Sequence, residues 1–225
     1  MRTYLYLGGL FLLLACSPAR FVEPLEKGKW ALGASLGGPV LDFEGLPVPT
    51  PITSVEAGYG LDSSLTIHGA LHTSAALFGN AQVDLGLTYR LRKQQAWYPA
   101  VSASASLNTI YDFDDRSAKL WPIVDLNAYW HYGSRENYWY LGVNNYFELS
   151  PTMANDQAQK HHWIFNPQLG HILKGKRGGW EFLAELKFLA PNVRNTYAFI
   201  PYKSLTGQFG ASGIYIGFRK LLGKK

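Results

Sequence analysis

Polar and apolar residues alternate with a period of two along most of the chain. In the clearest stretch, one set of alternate positions is apolar throughout: Ala81, Val83, Leu85, Leu87, Tyr89 and Leu91. The intervening positions are small or polar: Asn80, Gln82, Asp84, Gly86, Thr88 and Arg90. Because successive side chains of a β-strand point to opposite sides, this pattern predicts a strand with one apolar and one polar face.

Ten segments carry this alternation, with turn residues between them: 28–37, 51–61, 63–73, 79–91, 96–110, 119–132, 137–150, 161–174, 179–189 and 205–222. An even number of strands allows an up-and-down barrel to begin and end on the same side. The alternation is blurred over 207–217, so eight strands are the alternative. The sequence therefore predicts an all-β fold, an up-and-down antiparallel β-barrel of about ten strands.

The two faces indicate which way the barrel is turned. The polar face is rich in small residues, and the one lysine assigned to it is Lys187, whereas a water-facing exterior normally carries many charges. The apolar face ends in aromatic residues: Tyr89, Trp97, Trp130, Tyr132, Trp139, Trp163 and Trp180. Because Trp and Tyr concentrate where a barrel meets the membrane surface, the sequence predicts a transmembrane barrel with its apolar face toward lipid.

The first residues have the pattern of a secretory signal. Arg2 precedes an apolar run over 5–15, which is too short to span a membrane as a helix. The run ends in Leu13-Leu14-Ala15-Cys16, which resembles the lipobox of bacterial lipoproteins. The resemblance implies cleavage before Cys16 and a covalent lipid, with acyl chains such as palmitate, on its thiol and its new amino group. The residue after Cys16 is Ser17 rather than Asp, a pattern similar to that of lipoproteins sent to the outer membrane.

These features divide the chain into a signal peptide (1–15), a lipidated periplasmic tether (16–27), the barrel (28–222) and a short basic tail (223–225). Tight turns over 61–63, 92–95, 133–137 and 174–179 alternate with longer connections over 38–50, 110–119, 150–160 and 190–204. Short periplasmic turns and long outer loops are typical of outer-membrane barrels, so the N-terminus is expected on the periplasmic side. Most of the 21 Lys and Arg residues fall at the tight-turn end, where anionic lipid head groups would attract them. These basic residues are scattered around a ring, an arrangement that does not favour binding of nucleic acid.

The polar face also predicts what fills the interior. On the alternation it carries Glu56, His68, His72, Asp84, Arg90, Asp125, Asn127, His131, Glu148, Glu181, Glu185 and Lys187. A barrel of about ten strands is nearly filled by side chains, and buried charges must be paired, so a self-satisfied polar network is expected. The acidic excess leaves a narrow cation-preferring channel as an alternative. His68 and His72 lie ~13 Å apart on a strand, too far to share a metal, and no cofactor besides the lipid is expected.

An enzyme is the third alternative. His72 and Ser74 lie near an outer connection and resemble the His and Ser of lipid A deacylases and related outer-membrane enzymes, in which a His base activates a Ser. The chain has Ala75 where the deacylase motif has Asn, and no matching Glu can be assigned. No catalytic residue is therefore assigned, and a non-catalytic protein is expected.

Taken together, the chain resembles small lipobox-bearing outer-membrane β-barrel proteins of Gram-negative bacteria such as the Bacteroidota. A lipid and a barrel are redundant as anchors, which favours an accessory or scaffold subunit of a larger outer-membrane complex. Its expected partners are outer-membrane lipids and other outer-membrane or periplasmic proteins. Apolar groups in the outer loops offer a contact surface: Phe43, Leu46, Val48, Phe199, Ile200, Pro201 and Tyr202.

Overall fold

The computed structural model describes residues 17–152, 158–176, 179–195 and 201–223. Its strands are β1 (Trp30–Phe43), β2 (Leu46–Pro49), β3 (Thr53–Gly60), β4 (Leu65–Leu71), β5 (Asn80–Arg92), β6 (Ala100–Asp112), β7 (Ser117–Tyr132), β8 (Asn137–Phe147), β9 (Trp163–Lys174), β10 (Trp180–Arg194) and β11 (Phe209–Leu222). A 3-10 helix, Thr73–Phe78, follows β4. Within the described ranges, no helix is both long and apolar enough to cross a membrane.

All strands except β2 form one closed antiparallel barrel. Each barrel strand pairs with the next one along the chain, and β11 pairs with β1 from Trp30↔Leu222 to Pro39↔Gly213. Closure leaves the barrel without a free sheet edge, so its backbone donors and acceptors are paired between strands. The predicted fold is confirmed, with ten barrel strands rather than eight.

The two ends of the barrel are named here by their connections. At the tight-turn end β1 begins, β11 ends, and the connections 61–64, 93–99, 133–136 and 175–179 join the strands. At the long-loop end lie the connections 44–52, 72–79, 113–116, 148–162 and 195–208.

The first connection at the long-loop end is more ordered than its sequence suggested. β1 continues past the barrel and pairs with β2, from Val40↔Pro49 to Phe43↔Leu46. Glu44 and Gly45 join these strands with φ of 51° and 90°, as a two-residue hairpin turn requires. The long connection predicted over 38–50 therefore begins later, at Glu44, because a local turn and a backbone ladder extend the strand.

The connection predicted over 110–119 is also shorter than expected. β6 runs to Asp112 and β7 begins at Ser117. The Asp112 carboxylate accepts hydrogen bonds from the backbone N–H groups of Asp114 and Asp115 at 2.8 and 3.1 Å. The connection is therefore a four-residue turn, over 113–116, which the Asp112 side chain stabilises.

The apolar face of the strands points away from the barrel axis. Leu85, for example, is 66% exposed, and its neighbours on the same face, Leu87 and Leu107, are also exposed. The opposite face is buried, as at Thr88 and Ser102. A belt of exposed aliphatic side chains around the whole wall is unsuited to water and suits a lipid environment.

Part of the described chain before β1 lies inside the barrel. We call 17–26 the luminal segment, because its apolar side chains at Ala19, Phe21, Val22 and Leu25 are buried within the wall. The predicted periplasmic tether, 16–27, differs from the observed position: from Ser17 to Leu25 the chain lies in the lumen, because the wall accepts its buried apolar groups and the charged side chains of Arg20 and Glu23. The signal over 1–15, Cys16, Phe199, Ile200 and the end of the basic tail lie outside the described residues.

Candidate functional site: the occupied lumen

Two glycines on β3 provide the space that the luminal segment occupies. A Cβ atom at Gly58 would collide with the ring of Phe21, and one at Gly60 would collide with the backbone carbonyl of Glu26. The wall is thus thin where the segment packs against it. Phe21 is buried in the slot that Gly58 leaves.

Arg20 joins the segment to two strands of the wall. Its Nη1 donates to Glu56 Oε2 at 2.9 Å and to Ser54 Oγ at 3.1 Å, and its Nη2 donates to Asp84 Oδ2 at 3.1 Å. The side chains of Arg20, Glu56 and Asp84 are all buried. Burial lowers the pKa of Arg20, but Asp84 and Glu56 raise it further, so the pKa lies above its ordinary value. The guanidinium is therefore charged and bridges β3 and β5.

A second guanidinium completes this cluster. Arg219 Nε donates to Glu56 Oε1 at 3.0 Å, and its Nη1 lies 3.4 Å from Glu181 Oε2. The Arg219 guanidinium carbon is 3.9 Å from the centroid of the Phe21 ring. On another side, the ring of His68 stacks on Phe21 with centroids 5.6 Å apart. Phe21 is thus held by a desolvated cation–π contact and by ring packing.

The first described residues of the segment reach the middle of β10. The backbone N–H of Ala19 donates to Glu185 Oε2 at 2.9 Å, and Tyr140 Oη donates to the same oxygen at 2.6 Å. Lys187 Nζ donates to the Ser17 carbonyl at 2.7 Å. The segment therefore extends from the tight-turn end to about halfway along the lumen.

Nearer the tight-turn end, Glu23 holds the segment between two strands. His131 Nε2 lies 3.0 Å from one carboxylate oxygen of Glu23, and Lys174 Nζ lies 2.9 Å from the other. Burial raises the pKa of Glu23, but the hydrogen bond from His131 and the charge of Lys174 outweigh burial, so its pKa lies below the usual value. Docking of Glu23 thus favours its ionised form.

Two backbone groups of the segment are also bound by wall hydroxyls. Ser102 Oγ donates to the Val22 carbonyl at 2.6 Å, and the Leu25 N–H donates to Thr66 Oγ1 at 2.7 Å. Buried backbone groups need such partners, because the segment belongs to no strand ladder.

Outside the reach of the segment, the lumen is lined by polar groups that pair along the wall. Gln82 donates to Asn108 at 3.0 Å and Asn144 to Asp125 at 2.9 Å. Two further pairs complete the row: Asn166 with Asn144, and Gln168 with Asn127. The NH2 groups of these amides find acceptors on the wall without the luminal segment, whereas Gln82 Oε1 and Gln168 Oε1 have no hydrogen-bond partner among the described residues.

A cavity of about 360 Å³ lies between the segment and the tight-turn end. Its lining is largely charged and includes Glu23, Arg90, His131, Lys174 and Glu181. The lumen thus contains a cavity on the tight-turn side of Glu23. On the other side of Glu23, the segment occupies the lumen to about halfway along its length.

The predicted luminal residues fall into four groups. Those in contact with the segment or its direct partners are Glu56, His68, Asp84, His131, Glu181, Glu185 and Lys187. Asp125 and His72 belong to the polar wall, and Arg90 lines the cavity. Glu148 lies at the long-loop rim, where it accepts a hydrogen bond from Trp121 Nε1 at 2.8 Å.

Sequence analysis missed several residues of the site, among them Arg20, Phe21, Glu23, Tyr140 and Arg219. Tyr140 was on the polar face by alternation but was not recognised as a luminal donor. Arg219 is in the strand whose pattern is blurred. Arg20 and Phe21 precede the first strand, where no periodicity indicates what they contact.

The candidate His and Ser of an acyl hydrolase are not brought together. His72 Nε2 lies 3.0 Å from Asp84 Oδ2, and its Nδ1 has no hydrogen-bond partner among the described residues. Ser74 Oγ accepts from the Thr53 N–H at 3.3 Å. In the described part of the chain, no three His, Cys, Asp or Glu side chains are grouped to hold a metal ion.

Comparison with known proteins is informative only at the level of fold. No family model and no curated protein sequence matches the chain. The translocator domain of the autotransporter NalP from Neisseria meningitidis is similar in structure, with a TM-score of 0.50 and 9% identity over 88% of this chain and 90% of that one. An outer membrane channel from Pseudomonas putida F1 has a TM-score of 0.49 and 10% identity, over 92% of this chain and all of that one (100%). The chain has the fold of outer-membrane β-barrels.

Proposed function

We propose that the protein is a narrow outer-membrane channel for small solutes or ions, closed by its own luminal segment. The observation that carries the proposal is Arg20, whose buried guanidinium neutralises wall carboxylates on two strands. The charged wall is thus completed by a part of the chain outside the barrel strands.

The segment is attached in a way that permits it to leave. Its polar contacts with the wall are made by side chains, such as Ser102 and Thr66, or by its own Arg20 and Glu23. Gly28, with φ of 76° and open space around its Cβ position, joins it to β1. Undocking therefore breaks no strand pairing, and the barrel can stay closed as a sheet while its lumen empties.

The vacated lumen would be polar and acidic. Its wall carboxylates are Glu56, Asp84, Asp125, Glu181 and Glu185, and its basic groups are Arg90, Lys174, Lys187 and Arg219. Because unpaired buried charges cost several kcal/mol, water would replace the segment. Rings of carboxylates favour cations in a pore, so we expect cation preference.

Planar-bilayer recording of the full-length chain tests this proposal. Arg20→Glu places a third carboxylate against Glu56 and Asp84, so in chains without the lipid the variant is expected to show frequent cation-selective openings, whereas the chain that retains Arg20 is mostly closed. Arg135→Glu, in an exposed turn, is the matched control and should leave the current unchanged. A folded Arg20→Glu barrel that never conducts would refute the channel.

A second candidate function is the accessory or scaffold role. The observation that favours it is the β1–β2 ribbon, which extends beyond the barrel with Phe43 and Leu46 exposed by 67% and 66%. Exposed apolar side chains on a projecting ribbon are typical of a protein contact. A photo-crosslinking amino acid at position 43 should capture a specific outer-membrane protein in cells, whereas the same group at Arg135 should not.

Orientation and anchorage belong to the same proposal. We place the tight-turn end in the periplasm and a covalent lipid on Cys16, as the lipobox resemblance implies. Exposed basic residues at this end, Arg92, Lys93 and Arg135, support the orientation, because anionic head groups attract such side chains by about 1 kcal/mol each.

A further inference from the structure

We propose that the Arg20 pocket binds small solutes that carry a guanidinium group beside an aromatic or apolar group, and that Arg20 and Phe21 occupy it as a built-in ligand. This inference rests on the proposed channel and names its solute class. The pocket consists of Glu56, Asp84 and Ser54 around the guanidinium, and of the slot at Gly58 around the ring.

The acceptors of the pocket match the shape of a guanidinium. Three oxygens on β3 and β5 receive hydrogen bonds from two different nitrogens of Arg20, at 2.9 to 3.1 Å. A planar fork can reach such divided acceptors together, whereas an ammonium group is a single point of charge. The pocket therefore favours guanidinium over amine.

The charge balance indicates that a cation is required. Three carboxylates, of Glu56, Asp84 and Glu181, face the two guanidinium groups of Arg20 and Arg219. Removal of Arg20 leaves three buried negative charges against one positive charge. An incoming cation would restore the pairing that buried charges need.

The built-in ligand does not use the pocket fully. Asp84 Oδ1 is buried and has no hydrogen-bond partner within the described residues, and Arg20 Nε is likewise unpaired. Backbone hydrogen bonds of Ala19 to Glu185 and of Val22 to Ser102 restrain the chain on both sides of Arg20. A free solute carries no such restraint and can bind the unused oxygen.

The pocket is held by groups that do not belong to the segment. Arg219 binds the Glu56 oxygen that faces away from Arg20, and His72 lies 3.0 Å from Asp84. Both contacts persist when the segment leaves, so the carboxylates stay oriented. The ring slot persists too, because it depends on Gly58 and on the faces of His68 and Arg219.

Calorimetry on the full-length chain tests the pocket. In an Arg20→Ala/Phe21→Ala variant in detergent micelles, the probe is the dipeptide N-acetyl-arginyl-phenylalanine amide. We expect it to bind at least about tenfold more tightly than its lysyl analogue, because a fork reaches more acceptors. The neutral citrulline analogue should not bind. Addition of Asp84→Asn should abolish binding, whereas Asp125→Asn, a buried luminal carboxylate outside the pocket, should not.

A second measurement uses the unsubstituted chain, so the test does not depend on folding of the variant. The arginyl dipeptide should compete with the luminal segment and speed hydrogen exchange of the Ala19 and Leu25 amides, while the citrulline analogue leaves both protected. Equal effects of the two dipeptides, or no effect of either, would overturn the inferred pocket. The outcome is separate from the channel proposal: an Arg20→Glu chain that conducts while no dipeptide binds refutes only the solute class, and binding without conductance refutes only the channel.

Discussion

Glu23 shows how a single residue can make docking of the luminal segment depend on pH. Burial raises the pKa of its carboxyl, but the hydrogen bond from His131 and the charge of Lys174 outweigh burial, so the pKa lies below its ordinary value of 4.5. A depressed pKa means that its contribution is present above the ordinary pKa and is lost as pH falls through the docked value. Docking should therefore weaken as pH falls below about 4.5. Hydrogen exchange of the Leu25 amide, compared at each pH with a Glu23→Gln chain, measures this, and equal pH dependence in the two chains would contradict it.

Gly58 tests the docking geometry from the side of the wall. A leucine there would occupy the space of the Phe21 ring, so Gly58→Leu should expel the luminal segment and expose its amides to exchange. Phe21→Ala in the same chain provides room for the leucine and should restore much of the protection. If Gly58→Leu leaves the Ala19 amide as protected as before, the segment does not pack in this slot.

At the scale of the elements, the strands could be predicted and the luminal segment could not. Alternation predicts β5 to within one residue at each end and the start of β8 at Asn137, although β8 ends three residues early, because one face of each strand meets lipid and the other the lumen. It fails for β2, whose pairing depends on a local turn at Glu44. It gives no information about 17–26, because Arg20 meets Asp84, 64 residues further along the chain, only in the folded barrel. Contacts between residues so far apart leave no periodic signal.

The position of the luminal segment conflicts with the lipid proposed on the preceding residue. The Ser17 carbonyl accepts a hydrogen bond from Lys187, in the middle of β10. A lipid inserted in the leaflet one residue away would therefore require the segment to leave the lumen. We predict that membrane-extracted protein lacks 1–15 and carries acyl mass, and that this lipidated form conducts more than a Cys16→Ala chain. An unmodified thiol at position 16 would exclude the lipid, and equal conductance would exclude its coupling to the lumen.

For the molecule as a whole, a transmembrane barrel requires that the outer face of the wall contacts lipid. Leu85→Arg places a charge on the exposed apolar face and should cost about 2–4 kcal/mol near the midplane of the membrane. Folding into lipid vesicles, followed by denaturant titration, measures this cost. Arg at Leu77, in the 3-10 helix at the long-loop end, is the control and should cost little. A Leu85→Arg barrel as stable as the unsubstituted one would contradict a lipid-facing wall.

The charge distribution of the whole molecule links closure to the segment. The strands supply a wall with more acidic than basic groups, and the segment supplies Arg20, which that wall needs. Removing one partner from a buried ion pair costs about 3–5 kcal/mol, a large share of what a short segment can gain on docking. Closure of the lumen therefore depends on the side chain of Arg20.

Thiol accessibility at position 22 tests most directly whether the luminal segment fills the lumen and can leave it. The experiment uses Cys16→Ser chains folded into vesicles, with a single cysteine at position 22 or at position 77. The native residues at these positions differ in exposure: Val22 is 3% exposed and Leu77 is 83% exposed. We expect a bulky maleimide to label position 77 at once and position 22 slowly. Addition of Arg20→Glu should make the labelling of position 22 rapid. Rapid labelling of position 22 in the chain that retains Arg20 would contradict the occupied lumen, and protection that persists with Arg20→Glu would contradict its release.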